Sequence, residues 1–319
     1  MRIAWLLPVR DGGALLGRAV ASALQACESD DEVLVIDDGS EDGAAMALST
    51  HPQLRVLRQP PLGIVAALEH GRAATTAPLL ARLDADDEAL PGRIAAQRAA
   101  LTPSVVVVGG QGLLEEGGEG MVRYVRWLNG LEDLHAALLI ESPLLHPAVL
   151  MRASAVEAVG GYRQGDFPED YDLWLRLAEV GRLVSVAQPV VRLSDRPGRL
   201  TRTDPRYRPE AFRRLKIAWV ARNLLPSRPR VGLWGANKAG KPWLRALIEH
   251  DRRPVGLFDI APGGSRQGLP VWPIEALADT ALDLLLVAVG ARGARDEIRA
   301  RLGALRPDLI EGVGWFAVC

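Results

Sequence analysis

Leu79-Leu80-Ala81-Arg82-Leu83-Asp84-Ala85-Asp86-Asp87 decides how the first half of this chain is read. An apolar run from Pro78 to Leu83 delivers three carboxylates into a loop, and Pro91 before Gly92-Arg93-Ile94 marks a helix starting just downstream. A strand ending in Asp-x-Asp offers oxygens to a hard divalent cation. The plainer alternative is an acidic first turn stabilised by the dipole of the following helix. The motif alone does not choose between them, and its neighbours must.

Working back from the triplet, strand and helix signals alternate. Ile3 to Val9 reads as a buried strand, followed by a helix from Gly12-Gly13 to about Ala26. Glu32 to Asp38 is a second strand closed by the turn-forming Gly39-Ser40; Leu54 to Arg58 is a third; Leu62 to Ala74 has helical periodicity. Such alternation predicts an α/β fold, a mainly parallel mixed sheet with helices on both faces. Ligands of open sheets sit beyond the carboxyl ends of the strands. Asp38 and Asp84 to Asp86 both fall there, which is the first sign of a site.

Forward of the triplet the pattern loosens. A strand is expected at Val105 to Val108, a Gly/Glu-rich turn at 115–120, a helix over Leu131 to Ile140 and a strand from His146 to Met151. A helix opens at Glu169-Asp170, and an Arg-rich, Pro/Gly-broken stretch follows from Arg192 to Arg208. The expected domains are 1–205, a helical linker over 206–227, and a small Rossmann-like α/β domain over 228–319. In the last, strands Val231 to Trp234, Val255 to Asp259 and Leu284 to Val289 surround the turn Gly235 to Lys241. That turn matches Gly-x4-Gly-Lys, yet Pro242 stands where a magnesium-binding hydroxyl belongs. As a dinucleotide fingerprint it has Asn237 in place of the middle glycine, while Asp259 suits a ribose contact. A nucleotide site and a packing module remain open.

With 38 basic and 39 acidic residues the chain is nearly neutral, against a broad nucleic-acid or membrane footprint. Only Lys216, Lys238 and Lys241 are lysines; the arginine excess fits a GC-rich coding bias. Cys27 and Cys319 form no metal or redox pair by spacing. No run approaches the ~20 apolar residues that span a bilayer. The expected location is cytoplasmic, free or peripheral at the inner membrane face.

Three acidic stations stand in order: Asp37-Asp38, Asp84/Asp86 and Glu169-Asp170. With Leu7-Pro8-Val9, Val35-Ile36-Asp37-Asp38-Gly39-Ser40, Ala81-Arg82-Leu83-Asp84-Ala85-Asp86-Asp87 and Glu169-Asp170-Tyr171-Asp172-Leu173-Trp174, residues 1 to about 205 resemble the family 2 glycosyltransferases of GT-A fold. The resemblance implies inverting transfer of a sugar from a nucleotide-diphosphate donor to the hydroxyl of a saccharide or lipid-linked acceptor, in glycan synthesis at the cell surface or for secretion. It assigns Asp86, with Asp84, to a divalent cation. Asp84 also holds ribose or sugar hydroxyls, Asp38 the nucleobase with Pro8 and Val9 lining its pocket, and Asp170 the general base. With no His or Cys cluster nearby, Mg or Mn fits better than Zn.

Arg82 is either a partner of Asp84 or a phosphate contact. Arg196 to Arg202, with Arg199 and Arg202, is either a lid gripping the diphosphate or a solvated linker. His146 is an acceptor-side or a structural histidine. Arg126-Trp127 lacks the Gln three residues earlier that marks processive synthases, so a single transfer is expected. A nucleotidyltransferase, lacking its Gly-rich basic loop after the first strand, and a nucleotide-binding scaffold driven by 228–319 are the alternatives. Homo-oligomer formation is left open.

Overall fold

The computed structural model describes residues 1–196, 198–291 and 293–319. The chain forms two compact units, Met1–Leu134 with Pro143–Arg208, and His135–Ser142 with Pro209–Cys319.

In the first unit the alternation is β1 (Ile3–Val9), α1 (Gly13–Gln25), β2 (Glu32–Asp38), β3 (Leu54–Gln59), α2 (Ile64–Ala73) and β4 (Leu79–Arg82). The strands β3-β2-β1-β4 are parallel. Ile3 to Leu7, Val33 to Ile36 and Leu79 to Ala81 are fully buried, the continuous apolar runs of a sheet covered on both faces. Beyond β4 come β5 (Glu88–Ala89), α3 (Arg93–Ala100), β6 (Val105–Leu114), α4 (Glu119–Asn129) and the short α5 (Leu134–Ala137), which leads into 135–142. Then follow β7 (Leu150–Arg152), α6 (Ala153–Ala158), α7 (Glu169–Leu177), β8 (Arg182–Leu193) and α8 (Leu200–Thr203). β7 is antiparallel to β4 and β6, so the eight-stranded sheet, β3-β2-β1-β4-β7-β6-β8-β5, is mixed.

Three expectations differ here. Of the helix expected over 131–140 only Leu134–Ala137 forms, and a longer one lies at Glu119–Asn129, across the end of the expected turn. His146–Ala148 is a 3-10 turn, with the strand only at Leu150–Arg152. The reason is a pair of buried polar side chains on α3. Arg93 donates to the carbonyls of Pro147, Arg82 and Val149, and Gln97 to those of Ala148 and Val108. The carbonyls of Pro147 and Ala148 therefore have partners without a neighbouring strand, while Val149 also accepts the Arg82 N–H at 3.1 Å. β6 also runs on to Leu114 against β8, through register shifts at Gly110 and Gln111.

The second unit holds α9 (Pro209–Asn223), β9 (Val231–Trp234), α10 (Lys241–Glu249), β10 (Gly256–Asp259), β11 (Ser265–Arg266), β12 (Leu269–Pro273), β13 (Leu284–Val287), α11 (Ala294–Leu305) and β14 (Trp315–Ala317). Five strands, β12-β10-β9-β13-β14, are parallel, with β11 antiparallel at the edge. The expected linker helix belongs to this unit, with the division at 208/209 rather than 228. Lys216 of α9, 6% exposed, donates to the Ile140 carbonyl at 2.6 Å and so ties in 135–142. Among the described residues no helix is long and apolar enough to cross a membrane.

Candidate active site

The parallel register sets the ends of β1, β2 and β3 side by side, with Val9 beside Asp37 and Asp38 beside Gln59. The loops after β1 and β2 clasp each other: Asp11 donates its N–H to Ser40 and accepts that of Glu41. A cavity of about 610 Å³ opens here, lined by Arg10, Ser40, Glu41, Arg58, Pro60 and Pro61 among others. Pro8 is half-buried beside it in sequence, and Val9 is buried. Asp38, expected to meet a nucleobase, is 5% exposed and already accepts three hydrogen bonds, from Gln59 Nε2, Leu62 N and Gly63 N, each 2.8 Å. Its carboxylate orders the β3–α2 loop.

β4 ends at Arg82, and the triplet follows in a turn closed by the Asp87 N–H on the Asp84 carbonyl. Asp84, Asp86 and Asp87 bring carboxylate oxygens within 4.8 Å of one another. Asp84 and Asp86 are half-buried and Asp87 is buried. Burial, and then the charge of Asp84, raises the pKa of Asp86 and holds Asp87 well above the usual carboxylate range. Asp87 does not serve the start of α3, whose first turn follows Gly92. It accepts the Ser194 N–H at 2.8 Å, tying the chain after β8 to the triplet, and its other oxygen is buried without a partner. Crowded all-oxygen carboxylates that resist joint ionisation fit a hard divalent cation, which relieves their repulsion.

Arg82 is 1% exposed and ion-paired with Asp84. Its burial leaves the guanidinium against Asp84 and with little surface to offer a phosphate. Its charge reaches further. The guanidinium acts electrostatically on Glu169, Asp170, Tyr162 and His146, so the triplet and the α7 acids share one buried cation.

Asp170 lies in the first turn of α7, whose N-cap is Pro168, so it is not the cap. It is half-buried and accepts the Tyr171 N–H at 2.7 Å. Burial, then the Glu169 carboxylate, pushes its pKa up to about 7. Glu169 is 1% exposed and accepts from the Tyr207 hydroxyl at 2.8 and 3.0 Å, with Arg206 at 4.0 Å. Sequence reading passed over Tyr207, a lone aromatic in an arginine-rich stretch. His146 is buried, shares a 2.9 Å hydrogen bond with Tyr162 and packs edge-on to Trp174. Burial, then Arg82, holds its pKa well below the ordinary value, so it stays neutral.

Within the basic segment Pro197 lies outside the described residues. Arg199 donates to the Ser194 carbonyl at 2.9 Å, and its charge acts on Asp86 and Asp87. Arg196 Nη1 stands 4.0 Å from Asp86. Arg202 pairs with Asp195 at 2.5 Å, the residue after Ser194, and not with a carboxylate of the triplet. In the second unit, Asp259 accepts Ala236 N at 2.9 Å and Ala261 N at 3.1 Å. It is 4% exposed, so it braces the glycine turn rather than presenting a free carboxylate to a ribose.

Residues 5–157 match the model of Glycosyl transferase family 2. The amylovoran biosynthesis glycosyltransferase AmsE of Erwinia amylovora is 30% identical over 171 residues, 52% of this chain and 62% of that protein, so the chain spans under two thirds of this relative. TarS of S. aureus, in a crystal structure with UDP-GlcNAc, shares 14% identity and a TM-score of 0.54 over 70% of this chain and 67% of that one. The mannosyltransferase PcManGT of Pyrobaculum calidifontis, in complex with GDP-Man and Mn2+, gives 16% identity and a TM-score of 0.51, covering 78% and 69%. These structures share the GT-A fold with the first unit, whose residues 5–157 carry the match to glycosyl transferase family 2.

Proposed function

We propose that the chain is an inverting, metal-dependent glycosyltransferase acting in polysaccharide synthesis, moving a sugar from a nucleotide-diphosphate donor to an acceptor hydroxyl. One observation carries this reading: a cluster of three carboxylates and a raised-pKa Asp170 both feel the buried charge of Arg82. The donors in the TarS and PcManGT structures, UDP-GlcNAc and GDP-Man with Mn2+, support it.

Asp86 and Asp84 hold the divalent cation, Mn or Mg, whose chemistry is to offset charge gathering on the departing diphosphate. The cavity lined by Ser40 takes the nucleoside, with Pro8, Val9 and Asp38 on the side of the base. Arg199 adds positive charge on the diphosphate side. Asp170 accepts the acceptor hydroxyl's proton as that oxygen bonds to the anomeric carbon and the carbon–diphosphate bond breaks on the opposite face. A base with pKa about 7 is matched to neutral operation. The test is turnover of UDP-, GDP- and dTDP-sugars with and without manganese, for the wild type, Asp86→Ala and Asp170→Asn. Loss of turnover in both variants is expected. Wild-type turnover by both, on every nucleotide-sugar the protein binds, refutes the reading.

A further inference from the structure

The near-zero net charge conceals a local excess. Between 209 and 253 the chain carries eleven Lys and Arg against three Asp and Glu, whereas the whole chain has 38 against 39. Part of that excess lines a groove of about 580 Å³ between α9 and α10, within the second unit.

Two helical stripes build the groove. From α9 come Arg214, Ile217, Ala218, Ala221 and Arg222; from α10 come Pro242, Arg245, Ala246 and Glu249, with His250 just beyond it. Both follow the i, i+3, i+4, i+7, i+8 spacing of a single helix face. The floor is short and aliphatic, and the rim holds three exposed guanidinium groups against the carboxylate of Glu249. An aliphatic floor beneath an arginine rim complements an amphipathic anion, with phosphate on the guanidinium groups and hydrocarbon on the floor. None of the lining residues is Phe, Tyr or Trp, and His250 is the one aromatic ring there, so the groove offers no row of rings on which successive nucleic-acid bases could stack.

We propose that the α9–α10 groove is a docking surface for anionic phospholipid, through which Arg214, Arg222 and Arg245 hold the protein at the surface of a negatively charged bilayer. The surface is separate from the carboxylate site, so its failure and that of the transferase reading are distinguishable. For a glycosyltransferase with a lipid-linked acceptor, such attachment turns a search in solution into one along a surface. Guanidinium attraction to a bilayer is mainly electrostatic and falls off within a Debye length, so salt must weaken it.

The experiment is flotation of the full chain with vesicles of phosphatidylcholine alone, or of phosphatidylcholine with phosphatidylglycerol, at low and near-physiological salt. The wild type is expected to float with the anionic vesicles, less at higher salt, and to stay behind with the neutral ones. The triple change Arg214→Gln, Arg222→Gln, Arg245→Gln should lower partition on the order of 100-fold, from about 1 kcal/mol per basic residue near the surface. The corresponding triple change to Lys keeps the charge and should keep most of the binding. Arg222→Glu alone, at an exposed helical position, should cost roughly 30-fold and stands in if the triple change impairs folding. A control with equal change in net charge, Arg123→Gln, Arg163→Gln, Arg182→Gln, should float like the wild type. Wild-type flotation by the groove variants, equal loss in the control, equal binding to neutral vesicles, or equally tight binding to single-stranded DNA or polyglutamate overturns the proposal.

Discussion

Replacing Glu169 by Gln tests the chemistry of the α7 acids most directly. Gln keeps the volume and an oxygen for the Tyr207 hydroxyl, while removing the buried charge beside Asp170. The pKa of Asp170 rises from 3.8 to about 7, with burial the larger cause and Glu169 the next. A charge on the adjacent residue, about 6 Å away at an effective dielectric near 20, is worth at most about 2–3 kcal/mol, or roughly 2 pH units. Because burial takes the larger share, about 1 to 1.5 pH units remain for Glu169. The acid limb of kcat/KM for sugar transfer should therefore move from about 7 in the wild type to about 6 in Glu169→Gln. The plateau should fall about threefold, since a weaker base pulls less strongly on the proton. Arg82, Tyr162, His146, Arg206 and Tyr207 surround the pair and are unchanged. Tyr207→Phe acts in the same direction more weakly, by stripping the hydrogen bonds that keep Glu169 ionised. A limb that stays in place or moves up in Glu169→Gln refutes the assignment of Asp170 as the base tuned by Glu169.

Asp170→Asn should abolish transfer yet stabilise the fold at high pH. A carboxyl whose folded pKa is raised stabilises the protein below its unfolded value and loses that stability as pH rises through about 7. The melting-temperature gain of the variant should be largest near pH 8 and vanish toward about pH 4 in thermal melts; a gain independent of pH contradicts it. Gly161→Ala should cost about 2–4 kcal/mol by chemical denaturation. Gly161 has φ of +65°, and an added Cβ would stand 2.5 Å from Glu69 Oε1, the acceptor of the Tyr162 N–H. Lys216→Ala should cost about 2–3 kcal/mol, because it strands the buried Ile140 carbonyl and empties space beneath α9; unchanged stability would mean the lysine is not the tie.

β1, β2 and β4 were legible because each carries a continuous apolar run, Ile3 to Val9, Val33 to Ile36 and Leu79 to Ala81, and the last two lead into acids, Asp37-Asp38 and Asp84. β8 was not, since its exposure alternates along Arg182–Leu193 and Pro189 interrupts the ladder at a bulge. The extension of β6 was hidden by glycines that read as turns. Gly109 and Gly110 are there for close packing: a Cβ on either would lie 2.4 Å from Leu144 and 2.5 Å from Val190. Motif spacing announced the acidic stations but not who occupies their lone pairs. Asp38 and Asp259 look alike in sequence, each an acid at a strand end, and each spends its carboxylate on backbone N–H groups of an adjoining loop.

The least legible element is the pair of buried guanidinium groups, and their environments divide the labour between them. Arg93 is fully buried, lies 4.8 Å over the Trp5 ring, and bonds to Gln97 and to the carbonyls of Arg82, Pro147 and Val149, with no carboxylate of its own. Burial, then the charge of Arg82, lowers its pKa to about 9. Its contribution is geometric: it satisfies carbonyls that the 3-10 turn at His146 leaves outside the sheet. Arg82 has the opposite character, paired with Asp84 and felt by the acids of α7. Replacing Arg93 by Leu should thus unseat the backbone around 147–149 and destabilise the unit. Replacing Arg82 by an uncharged residue should act first on the acids, raising the proton affinity of Asp170 above its already high value. A buried charge without its partner is costly, so a sequence that keeps both arginines here is holding one as a scaffold and the other as the shared counter-charge of the site.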